Sequence, residues 1–128
     1  MTNRKTLDQI RVAVSLRAKG RIGSGNEGGD KIKSFPTMIQ NNGLLGALAY
    51  ACELKGSGYK NQAEYKMAEF IVEYINELKS NNYSVTGNDD IEKPESLIEY
   101  LTKCTPEQFR RINAEVLAFL NYFRRFAS

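Results

Sequence analysis

Apolar side chains recur along this chain at intervals of three and four, the spacing of one face of an α-helix, and no segment alternates with the period of two that marks a strand. The first such run spans about Thr6 to Lys19. Thr6 followed by Gln9 has the form of a capping box, and Gly20 supplies a stop. At about 100° per residue, Leu7, Ile10, Val14 and Ala18 share one face, with Val12 and Leu16 nearly opposite. Between these sides runs a polar stripe of Arg4, Asp8, Arg11, Ser15 and Lys19, expected to be exposed and open to a ligand. Residues 20–30 are glycine-rich and read as a flexible loop. A second helical region begins near Asp30. Pro36 is expected to mark its interruption or the first turn of a new helix, and Asn41-Asn42-Gly43 to form a cap or tight turn. From Leu44 to Leu54 the chain is apolar nearly all round, which predicts a helix at the centre of a bundle.

Gly56-Ser57-Gly58 breaks the chain again. Asn61 to Lys79 is the clearest amphipathic helix: Met67, Phe70, Ile71, Tyr74, Ile75 and Leu78 form one stripe, with Glu69, Glu73 and Glu77 on the other side. Residues 80–93 read as a polar loop, after which Pro94 opens a short helix carrying Leu97, Ile98 and Leu101. Thr105-Pro106-Glu107-Gln108 combines a capping Thr, Pro at the first helical position and Gln two residues later. The last helix runs to about Phe126. Phe109, Ile112, Val116, Phe119, Leu120, Phe123 and Ala127 line its apolar face, and Arg110, Arg111, Arg124 and Arg125 its other sides. The pattern predicts an all-α fold, a compact single-domain bundle of about five to seven helices over residues 1–128.

Composition narrows the chemistry. The 128 residues include no histidine, which removes His-based triads, His metal ligands and imidazole switches. The two cysteines are far apart, too few for a thiolate zinc site. Cys52 reads as a small core residue. Cysteines used singly, without an export signal, point to a reducing cytosol, and no apolar run approaches the ~20 residues of a membrane span. Gly23-Ser24-Gly25-Asn26-Glu27-Gly28 matches G-x-G-x-x-G formally. A helix precedes it and no βαβ pattern follows, so a flexible linker is the better reading. Glu69, Glu73 and Glu77 lack a third ligand type and read as a solvated face. No catalytic, metal or cofactor residue is assigned, and an enzyme is disfavoured.

The formal charge of +3 is unevenly spread. Up to Lys33 there are eight basic residues against three acidic, from Phe35 to Lys103 six against ten, and beyond that four arginines against Glu107 and Glu115. Two basic ends flanking an acidic middle are compatible with a polyanion partner, and equally with an uneven solvated surface.

The segment from Ser34 to Tyr50 resembles the small helical subunit of the type III-B CRISPR effector, the Cmr complex. That family carries a Pro, an apolar pair, then Asn-Gly-Leu opening a small-residue helix that ends in an aromatic; Pro36, Met38, Ile39, Asn42, Gly43, Leu44, Leu48, Ala49 and Tyr50 follow this order. The last helix is similar too, ending Tyr122-Phe123-Arg124-Arg125-Phe126-Ala127. The chain departs from the pattern in having no Trp and in its Gly-rich stretch. The resemblance implies a cytoplasmic, non-catalytic subunit acting in antiviral defence. It would stack in a few copies beside the backbone subunits that hold the guide RNA, lining the groove where target RNA pairs, with a large polymerase-like subunit as a further partner. Watson–Crick pairing would then read sequence, and this protein would supply backbone attraction. On that reading the candidate RNA contacts are Arg4, Arg11, Arg17, Lys19 and Arg21, with Arg110, Arg111, Arg124 and Arg125 as a second group, since guanidinium forks match phosphate oxygens.

Three other readings compete. A DNA-binding helix-turn-helix would need a polar recognition helix, whereas the helix after Gly43 offers only Glu53 and Lys55 as charges. A helical protein–protein adaptor using the acidic middle would need no nucleic acid. An enzyme would need an acid–base or metal cluster that this residue inventory does not assemble.

Overall fold

The computed structural model describes residues 5–21, 26–87 and 89–126; within them, the side chains of 19–21 and 26–33 fall outside the description. Helices begin where local chemistry starts them. In α1 (Leu7–Arg21) the Thr6 N–H donates to Gln9 Oε1 at 2.8 Å and the Gln9 N–H to Thr6 Oγ1 at 3.1 Å. The same reciprocal pair, Thr105 with Gln108 at 3.0 and 3.1 Å, starts α5 (Pro106–Phe126). Pro94 opens α4 (Pro94–Lys103), at a position where a missing N–H costs nothing. Helix α3 (Gln62–Ser80) carries the amphipathic stripe, and Met67, Phe70, Ile71, Tyr74, Ile75 and Leu78 are all buried.

Helix α2 (Asn26–Ala51) departs from expectation twice. It runs through Pro36 without interruption, and breaks only at Gly43, as the Asn41-Asn42-Gly43 turn predicts, with φ 79° and ψ 163°. A proline inside a helix removes one hydrogen bond, whereas that φ/ψ pair turns the chain and is open essentially to glycine alone. Helical backbone also takes over most of the expected 20–30 loop, because α1 continues through Gly20 and Arg21 and α2 already starts at Asn26. Residues 22–25 lie outside the described residues.

The helix expected to reach Leu54 stops at Ala51. Leu54–Lys55 (β1) and Gly58–Tyr59 (β2) then form a two-stranded antiparallel hairpin, with Leu54 opposite Tyr59 and Gly56 turning at φ 65°. Two residues per strand are too few for any alternation to be visible in the sequence. Nor is α2 central: Leu44, Ala47, Leu48 and Ala51 are buried, but Gly46, Ala49 and Tyr50 face outward.

Helix α1 packs against α5 and α3, and α2 against α3 and α5, while α4 covers one side of α3 and α2. The four long helices thus close a ring with α3 and α5 facing each other across the core. Aromatic rings bridge that diagonal: Tyr74 stacks on Phe119 at 4.7 Å, and Phe70 meets Phe123 edge-on at 5.5 Å. Among the described residues, five helices around one apolar core make an all-α bundle, as the periodicity predicts. The polar stretch on either side of residue 88 is anchored to the core, Val85 before it and Ile91 after it both being buried.

Candidate nucleic-acid interface

On α1 the expected assignment of faces is reversed in part. Ile10, Val14 and Ala18 are buried as expected, but Ser15 and most of Arg11 are buried with them, and Leu16 is left 51% exposed. The cause is a polar seam where α1 meets α3 and α5. Arg11 donates from Nε to the Tyr74 hydroxyl at 3.1 Å and from its terminal nitrogens to Asp8 at 3.2 Å and Glu115 at 2.8 Å. The Tyr74 hydroxyl itself donates to Glu115 at 2.9 Å, and the Tyr122 hydroxyl donates to Asp8 at 3.0 Å. Burial pulls the Arg11 pKa down, but the bonds to Glu115 and Tyr74 outweigh it and the net shift is upward. Burial pushes the Tyr74 hydroxyl up as well, so Arg11 stays a cation and Tyr74 a neutral phenol at any physiological pH.

The nine basic candidates therefore fall into different settings. Arg11 has its guanidinium occupied inside the seam. Arg17 is half-exposed and leans across to α3, 4.0 Å from Glu73 and 3.4 Å from Glu77. Arg4 and the side chains of Lys19 and Arg21 lie outside the described residues. Arg110, Arg111, Arg124 and Arg125 are exposed on α5, and among the described residues no carboxylate pairs with any of them. Arg124 bonds Asn121 at 3.4 Å, and the Arg125 guanidinium sits 5.5 Å over the Tyr122 ring.

The structure brings these four arginines onto one surface. With Ile112, Val116, Phe119, Leu120 and Phe123 turned inward and Leu117 half-buried against the core, helical spacing points Arg110, Ala114, Asn121 and Arg125 outward, with Arg111 and Arg124 on opposite shoulders. Arg110 and Arg125 stand about 22 Å apart along the axis at 1.5 Å per residue. From Arg110 onward the only carboxylate on α5 is Glu115, and Arg11 draws it to the seam. Arginines stand at both ends, Glu107 in the first turn is the one exposed carboxylate on α5, and small and polar residues with half-buried Leu117 lie between, a surface of net positive charge suited to a polyanion. Sequence reading missed Asp8, Tyr74, Glu115 and Tyr122 as its supports. The available signal was Glu115 itself, a lone carboxylate in the middle of an arginine-rich helix.

The far side of the bundle has the opposite sign. Since Tyr74 and Phe119 meet across the core, the outer sides of α3 and α5 look away from each other. A groove of about 380 Å³ on α3 is lined by Glu69, Glu73, Asn76, Glu77, Glu92 and Pro94. A cleft of about 670 Å³ beside α4 is also polar, and two of its carboxylates are already paired, Asp90 with Lys79 at 2.6 Å and Glu99 with Lys103 at 3.1 Å. Among the described residues, no group of three or more His, Cys, Asp or Glu is placed to hold a metal ion. No described helix is long and apolar enough to cross a membrane. Burial, with the Glu95 charge nearby, pushes the Cys52 thiol up to about 11, which leaves it protonated at neutral pH.

Fold and surface together define a small helical bundle with a cationic face on α5. A family model described as CRISPR-associated protein (Cas_Cmr5) matches residues 18–128. The chain belongs to this family, the small-subunit family of the type III-B Cmr effector that the Ser34–Tyr50 segment resembles. No curated protein and no solved structure matches the chain.

Proposed function

We propose that this Cmr subunit is non-catalytic and stabilises the guide–target RNA duplex in the cytoplasm by backbone contacts from the outer face of α5. One observation carries the reading: four exposed arginines on α5 stand against a single exposed carboxylate, Glu107, because Glu115 is drawn to the seam. Such a surface attracts phosphates without reading bases, which suits an effector whose specificity lies in RNA pairing. Of the nine basic candidates, Arg110, Arg111, Arg124 and Arg125 carry the contact. Arg17 and Arg11 are committed to α3 and to the seam. Leu16 on α1, Tyr50 near the end of α2 and Leu54 in β1 are exposed and suit contacts with neighbouring subunits, further copies of this chain included.

Charge reversal tests this directly. Effector assembled with the Arg110→Glu/Arg111→Glu chain should retain labelled target RNA at least tenfold less well at about 0.15 M salt, with a salt dependence shallower by about two phosphate contacts. The variant should still fold, because both side chains are exposed on α5 and like charges one turn apart cost only roughly a few tenths of a kcal/mol per pair. Unchanged retention in a correctly assembled complex would leave the protein–protein adaptor reading in its place.

A further inference from the structure

The polar seam under α5 is more elaborate than helix packing requires, and it touches the arginine face at both ends. Glu115 lies one helical turn beyond Arg111, the i, i+4 spacing at which opposite charges pair on a helix surface. In the folded chain it pairs instead with Arg11 of α1 at 2.8 Å and accepts from Tyr74 at 2.9 Å. At the other end, Asp8 accepts from Tyr122 at 3.0 Å, and the Tyr122 ring lies under the Arg125 guanidinium. Asp8 and Arg11 also bond each other, at 3.2 Å, so one α1 pair grips both partners.

We propose that Arg11 and Asp8 are positioning residues for the arginine face: Arg11 holds Glu115 away from Arg111, and Asp8 holds Tyr122 beneath Arg125. Neither touches the polyanion. Arg11 keeps a cation free by giving the neighbouring carboxylate a better partner. The Glu115 pair is mostly out of water and shared with a buried phenol, conditions under which it outcompetes an exposed surface pair screened by salt. Asp8 fixes one phenol orientation, which gives the long Arg125 side chain a seat and reduces the entropy lost when it engages a phosphate. The inference rests on α5 facing RNA, but its structural half does not.

The test uses the full chain, free and in assembled effector, with labelled target RNA as probe. In Arg11→Met, Glu115 should swing to Arg111, giving an Arg111–Glu115 ion pair in a crystal structure. Retention should then fall roughly fivefold, with a salt dependence shallower by about one contact. Arg11→Met/Glu115→Gln should restore wild-type retention, whereas Arg11→Met/Glu69→Gln, of equal net charge but altered on the opposite face, should stay weak. Retention by Arg11→Met/Glu115→Gln no better than by Arg11→Met alone, or full rescue by adding Glu69→Gln, overturns the proposal. Should Arg11→Met not fold, Asp8→Asn and Tyr122→Phe serve instead. Each should abolish the ring-current shift of the Arg125 side-chain protons in the free chain, and an undiminished shift in both overturns the Asp8 half. If the charge reversal at Arg110 and Arg111 leaves retention unchanged while Glu115 does swing to Arg111, the RNA reading fails and the positioning geometry survives.

Discussion

Gly43 is the residue on which the path of α2 depends. A Cβ built there meets no atom within 4 Å, so space is not the constraint; the backbone angle of φ 79° is. Gly43→Ala should therefore lower stability by about 1–3 kcal/mol through backbone strain alone, measured by denaturant unfolding. An unchanged midpoint would mean that the break between the halves of α2 relaxes without cost. Arg11 shows the opposite case, a residue whose sequence setting misleads. Its helical neighbours suggest an exposed basic stripe, yet three acceptors on three elements converge on it. Two of them, Tyr74 and Glu115, are distant in the sequence, and no local pattern announces that meeting.

At the scale of elements, the helices with strong local signals were legible. Reciprocal capping by Thr6–Gln9 and Thr105–Gln108, Pro94 at a helix start, and the stripes of α3 and α5 all follow from neighbours within a few residues. The hairpin was not, because its stability comes from elsewhere. Tyr59 stacks on Tyr65 of α3 at 3.7 Å, and both hydroxyls donate to Glu95 of α4, at 2.5 and 2.9 Å. Burial pushes the Glu95 carboxyl up, but these phenol bonds outweigh it and hold it below its ordinary 4.5. A depressed carboxylate contributes stability that is present above the ordinary value and lost as pH falls through the lowered one. Glu95→Gln should thus cost thermal stability at pH 7, and the gap to wild type should close as pH falls from the ordinary 4.5 through the lowered value. A gap constant across that range would show that Glu95 holds the hairpin only as a neutral group. The arginines of α5 were legible as cations but not as a surface. Whether a cation is free depends on which carboxylates reach it, and that is set by how α1 and α3 dock.

Among the described residues the bundle is electrically two-sided, α5 presenting arginines on one flank and α3 glutamates on the other. The formal charge of +3 conceals this, and only the aromatic contacts across the core show that the two flanks look in opposite directions. A polyanion close to such a bundle is drawn to one side and repelled from the other, so orientation follows from charge even without base contacts. That gives the central claim a direct measurement: site-specific photocrosslinking in assembled effector carrying labelled target RNA. A photoreactive side chain at Asn121, between the arginine pairs of α5, should join to the RNA, while one at Glu69 on α3 should join only to protein or to nothing. RNA adducts from position 69 with none from position 121 would contradict the account.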